Sequence, residues 1–330
     1  MKNPYYSGPV SDHFDGTCFF NPGQPSAERS FADILRWRFK ETRAKWPKSV
    51  LVEPAQPEAH VAGCRATLIG HASVLVQVDG LNVLTDPVFS KRVSPFSFAG
   101  PKRVTPPGIR FENLPKIDVV LLSHNHYDHC DVATLKRLDD RFRPRVITAL
   151  GNDRLLREAV PGIDVTAGDW GDVIDIGKGQ TVALTRANHW SSRGLRDRRM
   201  ALWCGFVLKT EAAQVYFAGD SGYGDGAIFQ EIRKLHGAPD LALIPIGAYA
   251  PRWFMKPQHM NPEEAVSVFE ALDAKRALAI HWGTFQLTDE ARSEPRDRLM
   301  KTLDERGISC ERFIALEPGG TLDLGSHRSA

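Results

Sequence analysis

Apolar and polar positions change rhythm along the chain. From Arg65 to Phe89, RATLIGHASVLVQVDGLNVLTDPVF alternates with the period of a half-buried strand, and Asp79-Gly80 between two such runs predicts a two-residue hairpin turn. Short runs rich in β-branched and apolar residues follow at IDVVLLS, PRVITAL, TVALTRA, ALWCGFVLKT, AQVYFAG, LALIPIG and RALAIHW. Helical stretches separate several of them. One is DVATLKRL; another is NPEEAVSVFEALDA, where Asn261 can cap, Pro262 suits the first turn and Glu263 and Glu264 favour a helix N-terminus. Strands grouped with intervening helices predict a mixed, layered α/β fold. Residues 1–64 have a different texture, with prolines from Pro4 to Pro57 around one predicted helix, AERSFADILRWRFKETRAKW. That stretch reads as an N-terminal extension wrapped on a main domain spanning 65–330.

Composition narrows the partners. The 330 residues are 42% hydrophobic and 25% charged, an ordinary globular profile. A net charge of +2, from 42 basic against 40 acidic side chains, provides no global field for a polyanion, so no nucleic-acid partner is expected. Cys18, Cys64, Cys130, Cys204 and Cys310 are scattered without a CxxC pair, which points to buried thiols in a reducing compartment. The segment NPYYSGPVSDHFDG is too polar and too broken for a signal-peptide core, and LALIPIG falls far short of a membrane span. The expected location is cytoplasmic. A peripheral contact with the inner face of the membrane stays open, as does a homodimer.

The segment LLSHNHYDHCD places His124, His126, Asp128 and His129 directly after an apolar run. Three imidazoles and a carboxylate in one tight loop are costly to hold together unless a cation organises them, and zinc and iron accept these ligands. Four further residues sit at or near the carboxyl ends of apolar runs: His71, His189, Asp220 and His281. Carboxyl ends of strands converge on the ligand crevice of an α/β sheet, so these groups could meet in space. Six or seven ligands exceed one tetrahedral zinc and suit two metals. His60 and His236 read as structural, Asp86 as shaping a turn beside the site, and Cys130 as a buried neighbour.

This pattern resembles the metallo-β-lactamase superfamily. The strings RVTPPGIRFENLPKID, SHNHYDHCD, FAGDSGYG, IPIGAYAPRWFM, QHMNPEEAV and AIHWGTF are similar to the N-acylphosphatidylethanolamine-hydrolysing phospholipase D family and its bacterial relatives. The resemblance runs from about Arg65 to Phe285. It implies an αββα sandwich with a dinuclear metal site at the sandwich edge. It implies that His124, His126 and His189 bind one metal, that Asp128, His129 and His281 bind the other, and that Asp220 bridges both. Both metals are normally zinc in this family, with iron or manganese open. His259 matches a position near the reacting phosphate, and Gln258 lies beside it.

The expected reaction is hydrolysis of an N-acylphosphatidylethanolamine-like phosphodiester to N-acylethanolamine and phosphatidic acid by a metal-bridging hydroxide, with Asp128 orienting the nucleophile and His259 assisting the leaving group. His71, Gln258, Arg193, Arg196 and Trp253 are the candidate substrate-binding residues. Arg193, Arg196, Arg198 and Arg199 form one cationic run after His189, and Trp37, Phe39 and Trp46 lie among basic residues of the N-terminal helix. Trp253, Phe254 and Met255 offer a second apolar side for a lipid entrance. A lactonase or acyl-ester hydrolase is the alternative on the same fold; a nuclease and a metal-binding protein with a dead site are the more distant ones.

Overall fold

The computed structural model describes residues 2–24 and 29–325. The first half of the chain supplies α1 (Phe31–Lys40), β1 (Cys64–Gly70), β2 (Ser73–Val78), β3 (Leu81–Thr85), β4 (Val119–Leu122), α2 (Val132–Phe142), β5 (Arg145–Ala149), α3 (Asn152–Ala159) and β6 (Val165–Gly168). The second supplies β7 (Val173–Gly177), β8 (Gln180–Thr185), β9 (Gly205–Lys209), β10 (Gln214–Phe217), α4 (Ala227–His236), β11 (Leu241–Pro245), α5 (Arg252–Met255), α6 (Pro262–Ala271), β12 (Arg276–Ile280), α7 (Glu294–Glu305), β13 (Phe313–Ile314) and β14 (Thr321–Asp323).

Two seven-stranded sheets result, in the orders β14-β1-β2-β3-β4-β5-β6 and β13-β12-β11-β10-β9-β8-β7. Their facing side chains, among them Val76, Leu121, Phe206, Phe217 and Leu243, form one core between the sheets. Leu135, Leu138 and Leu156 of α2 and α3 cover the outer face of the first sheet, and Phe229, Val266, Phe269 and Leu299 of α4, α6 and α7 cover that of the second. Most strands are therefore buried on both faces, with β7 and β14 at the sheet margins exposed, which explains runs such as VVLL with no polar alternation; β1 to β3 are buried on both faces too, not half-buried as their alternation suggests. The architecture is an αββα sandwich.

Local signals act as their chemistry dictates. Asp79 and Gly80 both adopt positive φ (51° and 77°) and join Val78 to Leu81 across the β2–β3 hairpin. The Asn261 side chain accepts from the Glu264 backbone N–H at 3.0 Å, and the Glu264 carboxylate returns a bond to the Asn261 N–H. Asp131 caps α2. The predicted N-terminal helix is shorter than expected. Ser30 caps α1, and Ala27 and Glu28 lie outside the described residues. Beyond Lys40 the chain leaves the helix to let Arg43 donate to the Thr288 carbonyl and the Trp46 indole to the Glu290 carbonyl.

β1, β3, β4, β5 and β6 all run in one direction in the first sheet, as do β8, β10, β11 and β12 in the second. Their carboxyl ends therefore gather along one edge of the sandwich. No helix among the described residues is long and apolar enough to cross a membrane.

Candidate metal centre

Six strand ends deliver the site: His71 follows β1, Asp86 follows β3, the SHNHYDH loop follows β4, His189 lies beyond β8, Asp220 beyond β10 and His281 after β12. His71, Asp86 and His281 hold positive φ (59°, 30° and 61°), a cost that surrounding contacts must offset. Gly219 has φ 59°, and a Cβ there would lie 2.8 Å from that of Ser123, so glycine lets the β10 end approach the β4 end closely.

Two groups of ligand atoms result. His124 Nε2 and His189 Nε2 face His126 Nδ1 at 2.8 and 3.2 Å. His129 Nε2 and His281 Nε2 face Asp128 Oδ2 at 3.5 and 3.4 Å. Asp220 Oδ2 stands between the groups, 3.1 Å from His129 Nε2, 3.2 Å from His281 Nε2 and 3.7 Å from His189 Nε2. Bare imidazole nitrogens turned toward one another repel unless a cation lies among them, and the buried Nε2 atoms of His129 and His281 and Oδ1 of Asp220 have no hydrogen-bond partner among the described residues. The donor set can bind metal ions, and its size fits two.

Outer contacts fix which nitrogen is bare in three of the rings. The His129 Nδ1–H donates to Asp86 Oδ2 at 2.6 Å, and the His189 Nδ1–H to the Gln258 carbonyl at 3.0 Å. The His124 Nδ1–H meets Ser123 Oγ at 2.8 Å, whose hydroxyl donates onward to Asp86. Each arrangement leaves Nε2 as a lone pair for a metal. The His71 Nε2–H donates to Asp128 Oδ2 at 2.9 Å. Burial opposes ionisation of Asp220, yet His129 and His281 overcome it and hold the carboxyl well below the usual range; His129 does the same for Asp128. Burial depresses His71 and His126 to about 3 and His189 to about 4. Burial also acts downward on His281, but the Asp220 and Asp128 carboxylates prevail and raise it to about 9.

A cavity of about 360 Å³ opens onto this cluster, reaching His126, Asp128, Asp220, Gln258 and His259. The Beta-lactamase superfamily domain model matches residues 81–282, the interval that carries five of the six strand ends just described, all but that of His71. This chain belongs to the beta-lactamase superfamily. Within the superfamily it is 42% identical over 269 residues to N-acyl-phosphatidylethanolamine-hydrolyzing phospholipase D 1 of Caenorhabditis elegans, covering 78% of this chain and 75% of the worm protein. It is 35% identical to the mitochondrial N-acyl-phosphatidylethanolamine-hydrolyzing phospholipase D of Saccharomyces cerevisiae, covering 77% of this chain and 55% of the yeast protein. A possible metal-dependent hydrolase from Veillonella parvula shares the fold, with a TM-score of 0.64 at 17% identity over 80% of this chain and all of that one. The chain is a metal-dependent hydrolase of this superfamily.

The cavity of this superfamily member draws on some expected substrate residues and not on others. Gln258 and His259 line it. His71 does not: it is buried behind Asp128 and spends Nε2 on that carboxylate. Arg193 turns inward, donating to the Asn125 and Cys130 carbonyls at 3.0 and 2.7 Å with its guanidinium over the Tyr127 ring, so it clamps the SHNHYDH loop. Arg196 is exposed away from the cavity. Trp253 faces α1, where its indole N–H donates to Glu41 and Arg36 lies over its ring.

Further residues line the cavity, of which the sequence singles out Arg198 and Trp37 but not Trp190, Arg29 and Ile34. Arg198, stacked 3.8 Å from the Trp190 ring centroid, lines the cavity with Trp190, Arg29, Ile34 and Trp37. Trp190 directly follows His189, a usable hint; nothing local marks Arg29. Asp86 does more than shape a turn, since it orients two imidazoles. Cys130 is buried, and burial pushes its thiol up to about 11, consistent with an inert neighbour.

Proposed function

We propose that this enzyme hydrolyses the phosphodiester of N-acylphosphatidylethanolamine-like lipids, releasing an N-acylethanolamine and phosphatidic acid. The observation that carries this reading is the mixed lining of the 360 Å³ cavity. Asp128, Asp220 and the imidazoles meet Ile34, Trp37, Phe254, Met255 and Leu287 there, with the guanidinium groups of Arg29 and Arg198 alongside. A phosphodiester needs the charged part and an acyl chain the apolar part. The sequence identity to two phospholipases D of that named activity supports the same reading.

Two divalent ions, for which the His-rich donor set suits zinc, would supply a hydroxide near neutral pH and neutralise charge on the phosphoryl oxygens. His124, His126 and His189 would hold one, and Asp128, His129 and His281 the other, with Asp220 within reach of both groups. Asp128, braced by His71 and facing the cavity, orients the attacking water. The water oxygen bonds to phosphorus, the bond from phosphorus to the ethanolamine oxygen breaks, and that alkoxide takes up a proton. We assign the donation to His259, whose ring lies in the cavity with Nδ1 3.8 Å from Asp220 Oδ2.

Residues 1–64 act in this scheme as an extension of the hydrolase body at 65–330, because Ile34 and Trp37 complete the apolar lining. A cavity of this size takes a head group and part of one chain, so the remaining hydrocarbon stays in the bilayer. Phe39 of α1 is 80% exposed beside Arg36, Arg38 and Lys40, a composition suited to an anionic lipid surface. The free thiols of all five cysteines support a reducing, cytoplasmic location, and the exposed Phe39 supports work at the inner membrane face.

The test is a paired assay with Phe39→Ser, using vesicles of N-acylphosphatidylethanolamine and a soluble short-chain phosphodiester. Loss on vesicles with the soluble activity retained supports the reading. Turnover of lactones with none of either phosphodiester moves the assignment to a lactonase.

A further inference from the structure

His124, His129 and His189 each have their outer nitrogen bonded to a fixed acceptor. His281 differs: its Nδ1 is buried and has no partner among the described residues. The same is true of His71 Nδ1 and of Trp282 Nε1. His71 and His281 lie side by side, with ring centroids 3.9 Å apart and the His281 backbone N–H donating to the His71 carbonyl at 2.9 Å. Both rings direct Nε2 at the Asp128 carboxylate, so both present Nδ1 on the side away from the cluster.

A small cavity of about 10 Å³ is lined by His71, His281, Trp282 and Glu290 together with apolar residues such as Phe285 and Leu287. The volume is that of about one water-sized probe, and dry cavities are apolar ones. Among the residues lining this one are a buried glutamate, Glu290, and three that carry a buried nitrogen without a partner among the described residues, His71, His281 and Trp282. Glu290 already accepts from the Ala248 N–H at 2.7 Å and the Thr288 hydroxyl at 2.8 Å on Oε1, and from the Ala250 N–H at 3.2 Å on Oε2. Oε2 keeps a lone pair for one more donor.

We propose that one water molecule is bound in this cavity and that Glu290 holds the His281 ring in place through it. The proposal rests on the assignment of His281 as a metal ligand. The hydrogen-bond inventory closes around such a water. His281 must keep Nε2 bare for a metal, so Nδ1 carries the hydrogen and donates. Trp282 Nε1–H is a second donor. His71 donates from Nε2 to Asp128, so its neutral ring offers Nδ1 as an acceptor, and Glu290 Oε2 is the second acceptor. Two donors and two acceptors are what a four-bonded water satisfies. Glu290 thereby becomes a positioning residue for the metal site on the Asp128 side, while its Oε1 fastens Ala248, a residue of the substrate cavity wall.

Loss of an outer partner of a metal-bound histidine lowers metal affinity roughly 10–100-fold. Glu290→Gln and Trp282→Phe should each weaken one of two zinc equivalents in a chelator titration, Glu290→Gln by that factor and Trp282→Phe by less. The equivalent assigned to His124, His126 and His189 should be retained. A crystal structure of the wild-type metal-loaded enzyme should show one ordered water within hydrogen-bond distance of His281 Nδ1 and His71 Nδ1. Unchanged zinc affinity in both folded variants overturns the proposal, as does parallel loss of both equivalents, or a cavity without water density where other buried waters are ordered. A wild-type protein that binds no zinc, iron or manganese fails the metal-centre reading instead, so the two failures are distinct.

Discussion

Replacing Asp86 by Asn should cost the enzyme one metal equivalent without unfolding it. Asp86 is fully buried and accepts three hydrogen bonds, from the Ser123 N–H at 2.7 Å on Oδ1, and from the Ser123 hydroxyl and the His129 Nδ1–H, both at 2.6 Å, on Oδ2. An asparagine oxygen can serve one side only. Facing Ser123 N, it leaves the amide NH₂ against His129, and the ring must shift its hydrogen to Nε2, the atom meant for the metal. Flipped, it leaves a buried backbone N–H facing a donor. Either way one buried donor loses its acceptor, at about 1–3 kcal/mol. A tenfold change in binding is about 1.4 kcal/mol, so this matches the roughly 10–100-fold loss usual for such outer partners. The backbone is a minor variable, because Asn tolerates the φ of 30° at this position better than other side chains. The assay is chelator competition with metal counted by elemental analysis, alongside thermal unfolding of the metal-free form. Wild-type affinity for both equivalents would refute the claim that Asp86 sets the His129 tautomer.

Three further outcomes follow from the geometry. Arg193→Ala should destabilise the fold by about 1–3 kcal/mol by orphaning the Asn125 and Cys130 carbonyls, and should lower vesicle and soluble activities in parallel; a selective rise in KM for anionic substrates would return Arg193 to phosphate binding. His259→Ala should leave metal content intact and reduce turnover about 10²–10⁴-fold with an alkoxide leaving group but much less with a nitrophenolate, and equal losses would remove the proton-donor role. In metal-free protein, His71, His126 and His189 have folded values of about 3, 3 and 4, below the unfolded value, so the unfolded chain binds more protons as the pH falls. His281, at about 9, is protonated in both states below about pH 6.5 and adds no slope there. Denaturant midpoints should therefore drop from pH 6.5 toward pH 4; a flat or rising profile contradicts the buried neutral rings.

The strand and helix pattern was legible because it is written locally. VVLL and RALAI each lie between polar neighbours, LALIP starts directly after Asp240, Asp79-Gly80 carries its own turn geometry, and Asn261 with Glu264 closes its own cap. The short strands β6, β7, β13 and β14 were not legible. Two to five residues long, they have no decisive period and exist because a neighbouring strand offers them a ladder.

The same division runs through the site. The cluster of His124, His126, Asp128 and His129 announces metal chemistry by itself, since nothing else makes that density of ligands in one loop economical. His189, Asp220 and His281 could be nominated because each ends a strand run. Their convergence, however, depends on two sheets directing those ends to one edge. Local sequence could not separate His71, turned behind Asp128, from His259, exposed to the cavity. Nor could it separate Arg193 from Arg198, five residues apart in one cationic run, of which one grips the metal loop and the other stacks on Trp190 beside the substrate space. Residue type and spacing determine which chemistry a chain can perform, because ligand preference and backbone period act over a few residues. Which of several identical side chains faces the reaction is decided by packing between segments far apart in the chain, as when Trp37 reaches Asp289 across 252 residues, and no short stretch encodes that distance.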